Sequence, residues 1–143
     1  MQQLYGHNAR GGGPGPNIRA NQDTSGLPQN ETWMTVNPLD INNIVGGAND
    51  YRNGDATAGW YTSFDGGLTW TDGVFPLPGN YDASGDPAVE FGLNERVYFA
   101  QLIFQRDGEL PPSGIYVSTS TDGGVSYSTP LEISDTDSNQ GST

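Results

Sequence analysis

Four acidic residues of this chain have the types and the spacing to form a metal site. Asp23 opens a D-x-S-G sequence that returns at Asp82, and each copy is followed by a further acid, Glu31 or Asp86. Carboxylates and serine hydroxyls are the hard oxygen ligands that Ca²⁺ prefers. The same residues also cap loops by hydrogen bonding to nearby backbone groups. The sequence therefore predicts either a Ca²⁺ site at these four acids or a pair of capped loops.

A second repeated motif places an aspartate in a glycine turn. Residues 63–70 read S-x-D-x-G-x-T-W, and residues 120–127 read S-x-D-x-G-x-S-Y. The aspartate can accept N–H bonds from its own turn, and glycine adopts positive φ without steric cost. We therefore predict a structural role for the residues of both turns: Ser63, Asp65, Gly67, Thr69, Trp70, Ser120, Asp122, Gly124, Ser126 and Tyr127.

Two copies of one β-rich unit hold these motifs in place. The predicted strands cover residues 32–36, 44–49, 59–63 and 69–73, and then residues 87–91, 96–104, 114–120 and 126–133. Short β-rich runs between turn residues, without a helical period, indicate an all-β fold. Four strands per repeated unit are typical of a β-propeller blade. We therefore predict two four-stranded antiparallel blades, each with an aspartate turn between its third and fourth strands.

The repeats also set the predicted domain boundaries. Residues 1–16 form a flexible Gly/Pro-rich arm, residues 17–133 hold the two blades (about 22–80 and 81–133), and residues 134–143 form a polar tail. An additional short strand is expected over residues 17–21.

Two blades are too few for a closed propeller, which has about 4–8. Trp33, Val36, Val97 and Phe99 are therefore expected to lie on poorly covered faces. The missing partners could be further blades of a longer chain or other copies of this chain, so we predict self-association or completion by additional blades.

Composition excludes several functions. The net charge is −12, the five basic residues are all Arg, and there is no Cys. A surface this acidic repels nucleic acid and anionic membranes, and no thiol or Cys-based metal site can form. No apolar run is long enough to span a membrane. The one histidine, His7, falls in the arm, where we expect a solvated side chain.

At both aspartate turns the chain resembles the Asp-box (BNR-repeat) β-propellers of the sialidase-like superfamily, and in particular a secreted bacterial branch of it. The second turn departs from the family pattern only by Ser126 and Tyr127 in place of Thr and Trp. Residues 28–38, 42–50 and 84–87 resemble the opening blade of such proteins. The resemblance implies an extracellular or cell-surface location. It also places Glu31 and Asp86 at the innermost strands, whose ends converge on the central channel.

Three functions remain open from the sequence. The first is a binding or scaffolding module that is carbohydrate-associated, with a glycan as its candidate ligand. The second is a self-assembling filament or surface subunit. The third is a fragment of a sialidase-like glycoside hydrolase, but the Arg-Ile-Pro motif and an evident Arg cluster are absent, so we predict that this chain is not catalytic by itself.

Overall fold

The computed structural model describes residues 16–79, 81–106 and 113–134, which form two antiparallel sheets. The strands are β1 Gln29–Val36, β2 Ile44–Asp50, β3 Thr57–Ser63, β4 Thr71–Val74, β5 Ala83–Phe91, β6 Val97–Phe104, β7 Ser113–Ser120 and β8 Leu131–Glu132. Sheet 1 has the order β1-β2-β3-β4, and sheet 2 has the order β5-β6-β7-β8. A short 3₁₀ turn, Leu93–Glu95, separates β5 from β6. The predicted all-β class with two four-stranded antiparallel sheets is confirmed.

The sequences of the central strands fit their positions. β2 reads IVGGAND and β3 reads TAGWYTS, and nearly every residue of both strands is buried. Small residues on both sides of these strands let other segments approach sheet 1 closely. β6 reads VYFAQLIF and alternates between buried and more exposed positions, as expected for a strand with one packed face.

The two sheets pack face to face around one apolar core. Its buried side chains are Val45 and Ala58 from sheet 1, Phe75 directly after β4, and Val89, Phe91, Val97 and Phe99 from sheet 2. The ring centroids of Phe75 and Phe99 lie 4.5 Å apart. Gly47 makes this packing possible, because a Cβ atom at that position would stand 2.9 Å from the Phe99 ring.

Some expectations from the sequence are wrong. Residues 17–21 form no strand, because Asn21 bonds to the side chain of Gln29 and not to a strand backbone. Val97 and Phe99 are fully buried, since sheet 1 covers them. Trp33 and Val36 are about half exposed, as expected.

The acids and the last strand also differ from the predicted positions. Glu31 and Asp86 lie within β1 and β5 and do not precede these strands. The fourth strand of sheet 2 is limited to Leu131–Glu132, because the residues before it continue the turn after Ser120.

Most of the predicted arm and tail lies outside the described residues. These parts are residues 1–15, which include His7, and residues 135–143. In the part of the chain that is described, no helix is long and apolar enough to cross a membrane.

Candidate functional site

Glu31 and Asp86 share an unusual backbone conformation at equivalent places in the two sheets. Their φ angles are 53° and 49°, in the left-handed region that costs a non-glycine residue about 1–2 kcal/mol. Each acid sits where the strand register shifts, between Asn30 and Trp33 in β1 and between Gly85 and Ala88 in β5. The first strand of each sheet, β1 or β5, therefore carries a β-bulge that turns a carboxylate toward solvent.

Asn49 of β2 joins the two bulges. Its Nδ2 donates to Glu31 Oε2 at 3.0 Å and to Asp86 Oδ1 at 3.5 Å, and its Oδ1 accepts the Asp86 N–H at 2.7 Å. Gly85 leaves room for this amide, because a Cβ there would stand 2.6 Å from Asn49 Oδ1. The residue pattern did not reveal Asn49 as a site residue. Its signal was a polar pair, residues 49–50, at the end of an otherwise apolar strand.

The two carboxyl groups share the Asn49 amide as a hydrogen-bond donor. A hydrogen bond with Asp86, together with the charge of that group, raises the pKa of Glu31 above its ordinary value. We name Glu31, Asp86 and Asn49 the bulge cluster. Its exposed carboxylates can accept hydrogen bonds from hydroxyl or ammonium groups, and its amide holds both acids on one surface.

The four predicted metal ligands do not assemble into one site. Asp23 accepts bonds from the N–H and hydroxyl of Ser25, and Asp82 accepts the N–H of Arg106. Asp23 therefore caps its own loop, while Asp82 joins its loop to the segment after β6. Among the described residues, no three acidic or histidine side chains cluster as they would around a metal ion. Two carboxylates already bonded to an amide do not fit the six to eight oxygen ligands of Ca²⁺.

The turn at residues 63–70 is held by its aspartate. Asp65 Oδ1 accepts the N–H groups of Leu68 and Thr69 at 3.0 and 2.8 Å, and Oδ2 accepts the Thr69 hydroxyl at 2.6 Å. The Ser63 hydroxyl donates to Asp65 and accepts the N–H of Gly67. Hydrogen bonds from Thr69 lower the pKa of Asp65 to about 2.

The turn at residues 120–127 repeats this pattern and contacts the other sheet. Asp122 accepts the N–H groups of Val125 and Ser126 at 3.0 Å each. Burial opposes ionisation of Asp122, but hydrogen bonds from Ser126 and Ser120 lower its pKa to about 2. The Thr62 hydroxyl of sheet 1 donates to the Gly124 carbonyl at 2.6 Å. The second turn therefore fastens sheet 2 to sheet 1.

The last residues of the two turns differ in their surroundings. Tyr127 packs with Phe75, Phe99 and Trp60 between the sheets. Trp70 donates its indole N–H to the Gly67 carbonyl at 2.9 Å and lines a groove on the outside of sheet 1.

This groove, which we call the sheet 1 groove, has a volume of about 470 Å³. Trp33, Met34, Tyr61 and Trp70 form much of its lining, with a floor of small residues over 46–48. Residues 19–21 and 26–27 border it. The groove is a concave, largely apolar surface beside an all-β scaffold.

Two of the four arginines in the described residues, Arg52 and Arg106, are bonded to nearby acids. Arg52 bonds Asp50 at 2.7 Å and also Asp72, and Arg106 bonds Asp55. Burial alone would raise the pKa of Asp50, but hydrogen bonds from Arg52 and Tyr61 outweigh it and hold that pKa below its usual range. These guanidinium groups hold loops and do not form a cluster that could grip a substrate carboxylate.

Comparison with protein-family models, with curated proteins and with solved structures gave no match to this chain.

Proposed function

We propose that the chain is part of an extracellular Asp-box β-propeller that acts as a binding or scaffolding module and associates with carbohydrate. In this proposal sheets 1 and 2 are successive blades. Support comes from the repetition: both sheets have four antiparallel strands in sequence order, and the same hydrogen-bonded turn joins the third strand to the fourth.

The bulge cluster is the proposed ligand-binding surface. The observation that carries this assignment is the positive φ of both Glu31 and Asp86. Backbone strain of this kind costs about 1–3 kcal/mol and tends to occur at functional sites. The same strain recurs at the equivalent position of the next sheet, and it presents a carboxylate each time. This repetition supports a binding role for the two exposed acids.

Neutral glycans fit this surface better than anionic ones. Glu31 and Asp86 can accept hydrogen bonds from sugar hydroxyls, while the net charge of −12 repels acidic sugars. Sialic acid is therefore a poor candidate, and Arg52 and Arg106, which could grip its carboxylate, are already bonded to acids.

A hydrolase acting through these two acids has less support. Glycosidase carboxyls stand about 5–10 Å apart to admit a water molecule or the sugar carbon. Glu31 Oε2 and Asp86 Oδ1 both accept from Asn49 Nδ2, at 3.0 and 3.5 Å, so an amide already bridges the two acids where a sugar would have to enter. We therefore propose binding without catalysis at this site.

The test is glycan binding by wild type and by the variants Glu31→Gln and Asp86→Asn, on an array of neutral and acidic glycans followed by calorimetry. We expect wild type to bind a neutral glycan and each variant to lose at least about tenfold in affinity. Glu95→Gln is the matched control, because Glu95 is also an exposed acid with positive φ. Absence of glycan binding, or equal binding by all variants, would refute the proposal.

A further inference from the structure

Positions in the first three strands of sheet 1 have counterparts in sheet 2. Ser63 opens the first aspartate turn and pairs with Ile44, just as Ser120 opens the second turn and pairs with Val97. The two bulges correspond as well. These correspondences define equivalent faces. We call the face of sheet 2 that carries Val97 and Phe99, and the equivalent face of sheet 1 that carries Gly46, the front faces. The opposite faces, which carry Val45 and Ala58 in sheet 1 and Tyr98 and Ile115 in sheet 2, are the back faces.

The described residues form one front-to-back contact. The front face of sheet 2 packs on the back face of sheet 1 and buries Val97, Phe99 and Val45 completely. No sheet formed by the described residues packs on the front face of sheet 1 or on the back face of sheet 2.

The front face of sheet 1 is apolar and exposed along β1, although Ala48 and Tyr61 of the same face are buried. Met34 is 61% exposed and Val36 is 47% exposed, although their counterparts in sheet 2, Val89 and Phe91, are buried in the core. The sheet 1 groove lies on this side, since Met34, Gly46 and the backbone near it form part of its lining. No sheet formed by the described residues packs on this face in the way that sheet 1 packs on sheet 2.

The back face of sheet 2 is also apolar and open. Tyr98 and Ile115 are 46% and 43% exposed, and they are the counterparts of buried Val45 and Ala58. Leu131 lies on this face because it pairs with Val117, and it is 70% exposed. A soluble monomer seldom carries such patches without a partner.

The internal contact and its counterpart positions differ in side-chain size. In the internal contact, Phe99 on the front face of sheet 2 packs over Gly47 on the back face of sheet 1. Their counterparts on the other two faces are Gly46 and Ala100, which are both small. Exposed apolar volume on these two faces comes instead from Met34 on the front face of sheet 1 and from Ile115 and Leu131 on the back face of sheet 2.

A polar contact can repeat together with the apolar one. The Thr62 hydroxyl on the back face of sheet 1 donates to the Gly124 carbonyl of the next sheet. Thr119 is the counterpart of Thr62, and Gly67 is the counterpart of Gly124. The Gly67 carbonyl accepts one bond from Trp70 and has a second lone pair for another donor.

From these observations we propose that the open front face of sheet 1 binds the open back face of sheet 2 of a second copy of this chain. The contact is head-to-tail, so the chain forms a closed ring or an open filament. The inference rests on the packing of the sheets and is independent of the proposed glycan ligand.

Light scattering on a sizing column tests the proposal with wild type and the variants Met34→Lys, on the front face, and Ile115→Lys, on the back face. Each lysine makes the net charge less negative than −12 and so reduces general repulsion between copies. A buried unpaired charge at the contact should still weaken association by more than about 100-fold. The matched control is Leu93→Lys, at a turn residue that is 88% exposed and lies on neither face.

Mixing the two variants distinguishes a head-to-tail contact from any other. Met34→Lys retains a good back face and Ile115→Lys retains a good front face, so each should be monomeric alone and the mixture should stop at a dimer. Wild type should grow beyond a dimer as its concentration rises over a roughly 100-fold range. Thr119→Val should weaken association by about 2- to 10-fold.

Three results would overturn the proposal. The first is a wild type that remains monomeric throughout, which would mean that other sheets or partners cover the two faces. The second is a dimer formed by either lysine variant alone, which would indicate a contact between identical faces. The third is equal association by all variants, including the Leu93→Lys control. Circular dichroism of each variant verifies that the sheets are folded.

Discussion

At the residue scale, the bulge cluster combines backbone strain with mutual repulsion of two acids. Glu31 and Asp86 adopt positive φ without the freedom of glycine, and the pKa of Glu31 is raised by its hydrogen bond to Asp86 and by the charge of that group. Neither feature stabilises the fold near neutral pH. Asn49 offsets part of the cost by bonding to both bulges.

Glycine at position 31 should relieve the strain. Glu31→Gly and Glu31→Ala both remove the carboxylate, but only glycine adopts a φ of 53° freely. We expect the glycine variant to be more stable than the alanine variant by about 1 kcal/mol, measured by urea denaturation. Met34 is the control position, where glycine should be the less stable replacement, as in an ordinary strand. An alanine variant at position 31 as stable as the glycine variant would argue against backbone strain.

The turn aspartates should make the fold sensitive to acid. The folded-state pKa values of Asp65 and Asp122 are lowered to about 2, so their contribution to stability is present above the ordinary aspartate pKa near 4 and is lost as the pH falls toward 2. Asp65→Asn should therefore be less stable than wild type at pH 7, and this difference should shrink between about pH 4 and pH 2. Urea midpoints measured across this range test the effect. A difference that is independent of pH would contradict it, and Glu95→Gln again supplies the control.

At the element scale, the strands follow from local sequence and the bulges do not. Runs such as VYFAQLIF in β6 alternate between faces and end at turn residues, so their strand character can be predicted. The turn around Asp65 is also predictable, because all its bonding partners lie within residues 63–70. The bulge at Glu31 depends on Asn49 in the neighbouring strand, and such long-range contacts leave little signal in the residues that bulge.

Burial was predicted less well than strand position. From the sequence, Phe99 is expected on a poorly covered face, because two blades are too few to close a propeller. Its burial depends on Gly47, whose missing side chain is informative only once the two sheets are known to be in contact. The sequence pattern distinguishes the two faces of a strand, but it does not reveal which face another sheet covers.

Gln101 of β6 is a polar residue in the packed interface. It is 1% exposed, and neither amide atom has a hydrogen-bond partner within the described residues. Gln101→Met keeps a similar length and removes the unpaired groups, so it should stabilise the protein by about 1–3 kcal/mol in chemical denaturation. Gln29→Met is the control, because Gln29 accepts from Asn21 and donates to Leu27 and should lose stability. Destabilisation by Gln101→Met would show that the amide is bonded after all.

At the scale of the whole molecule, the described residues form a stack of two similar sheets. The front face of sheet 1 and the back face of sheet 2 lie at its two ends. The net charge of −12 opposes the approach of further copies. Association between the apolar faces should therefore be stronger at higher ionic strength, where repulsion is screened. Function and assembly occupy different surfaces in this account, because the bulge cluster lies at the register shifts of β1 and β5 and the apolar faces lie at the ends of the stack.

The most direct measurement of the repeated contact is disulfide trapping between copies. Within the chain, the Ala58 N–H donates to the Ser84 hydroxyl at 2.8 Å across the two sheets. The counterparts of these residues are Ile115 on the back face of sheet 2 and Gln29 in sheet 1. The chain has no cysteine, so Ile115→Cys and Gln29→Cys each introduce a single thiol.

Oxidation of the two single-cysteine variants, alone and mixed, gives the decisive comparison by non-reducing electrophoresis. The account predicts a rapid disulfide-linked dimer in the mixture and little in either variant alone, because the Cα atoms of a disulfide must approach to about 4.4–6.8 Å. Equal cross-linking in all three samples, or none in the mixture, would contradict a contact that repeats from one copy to the next.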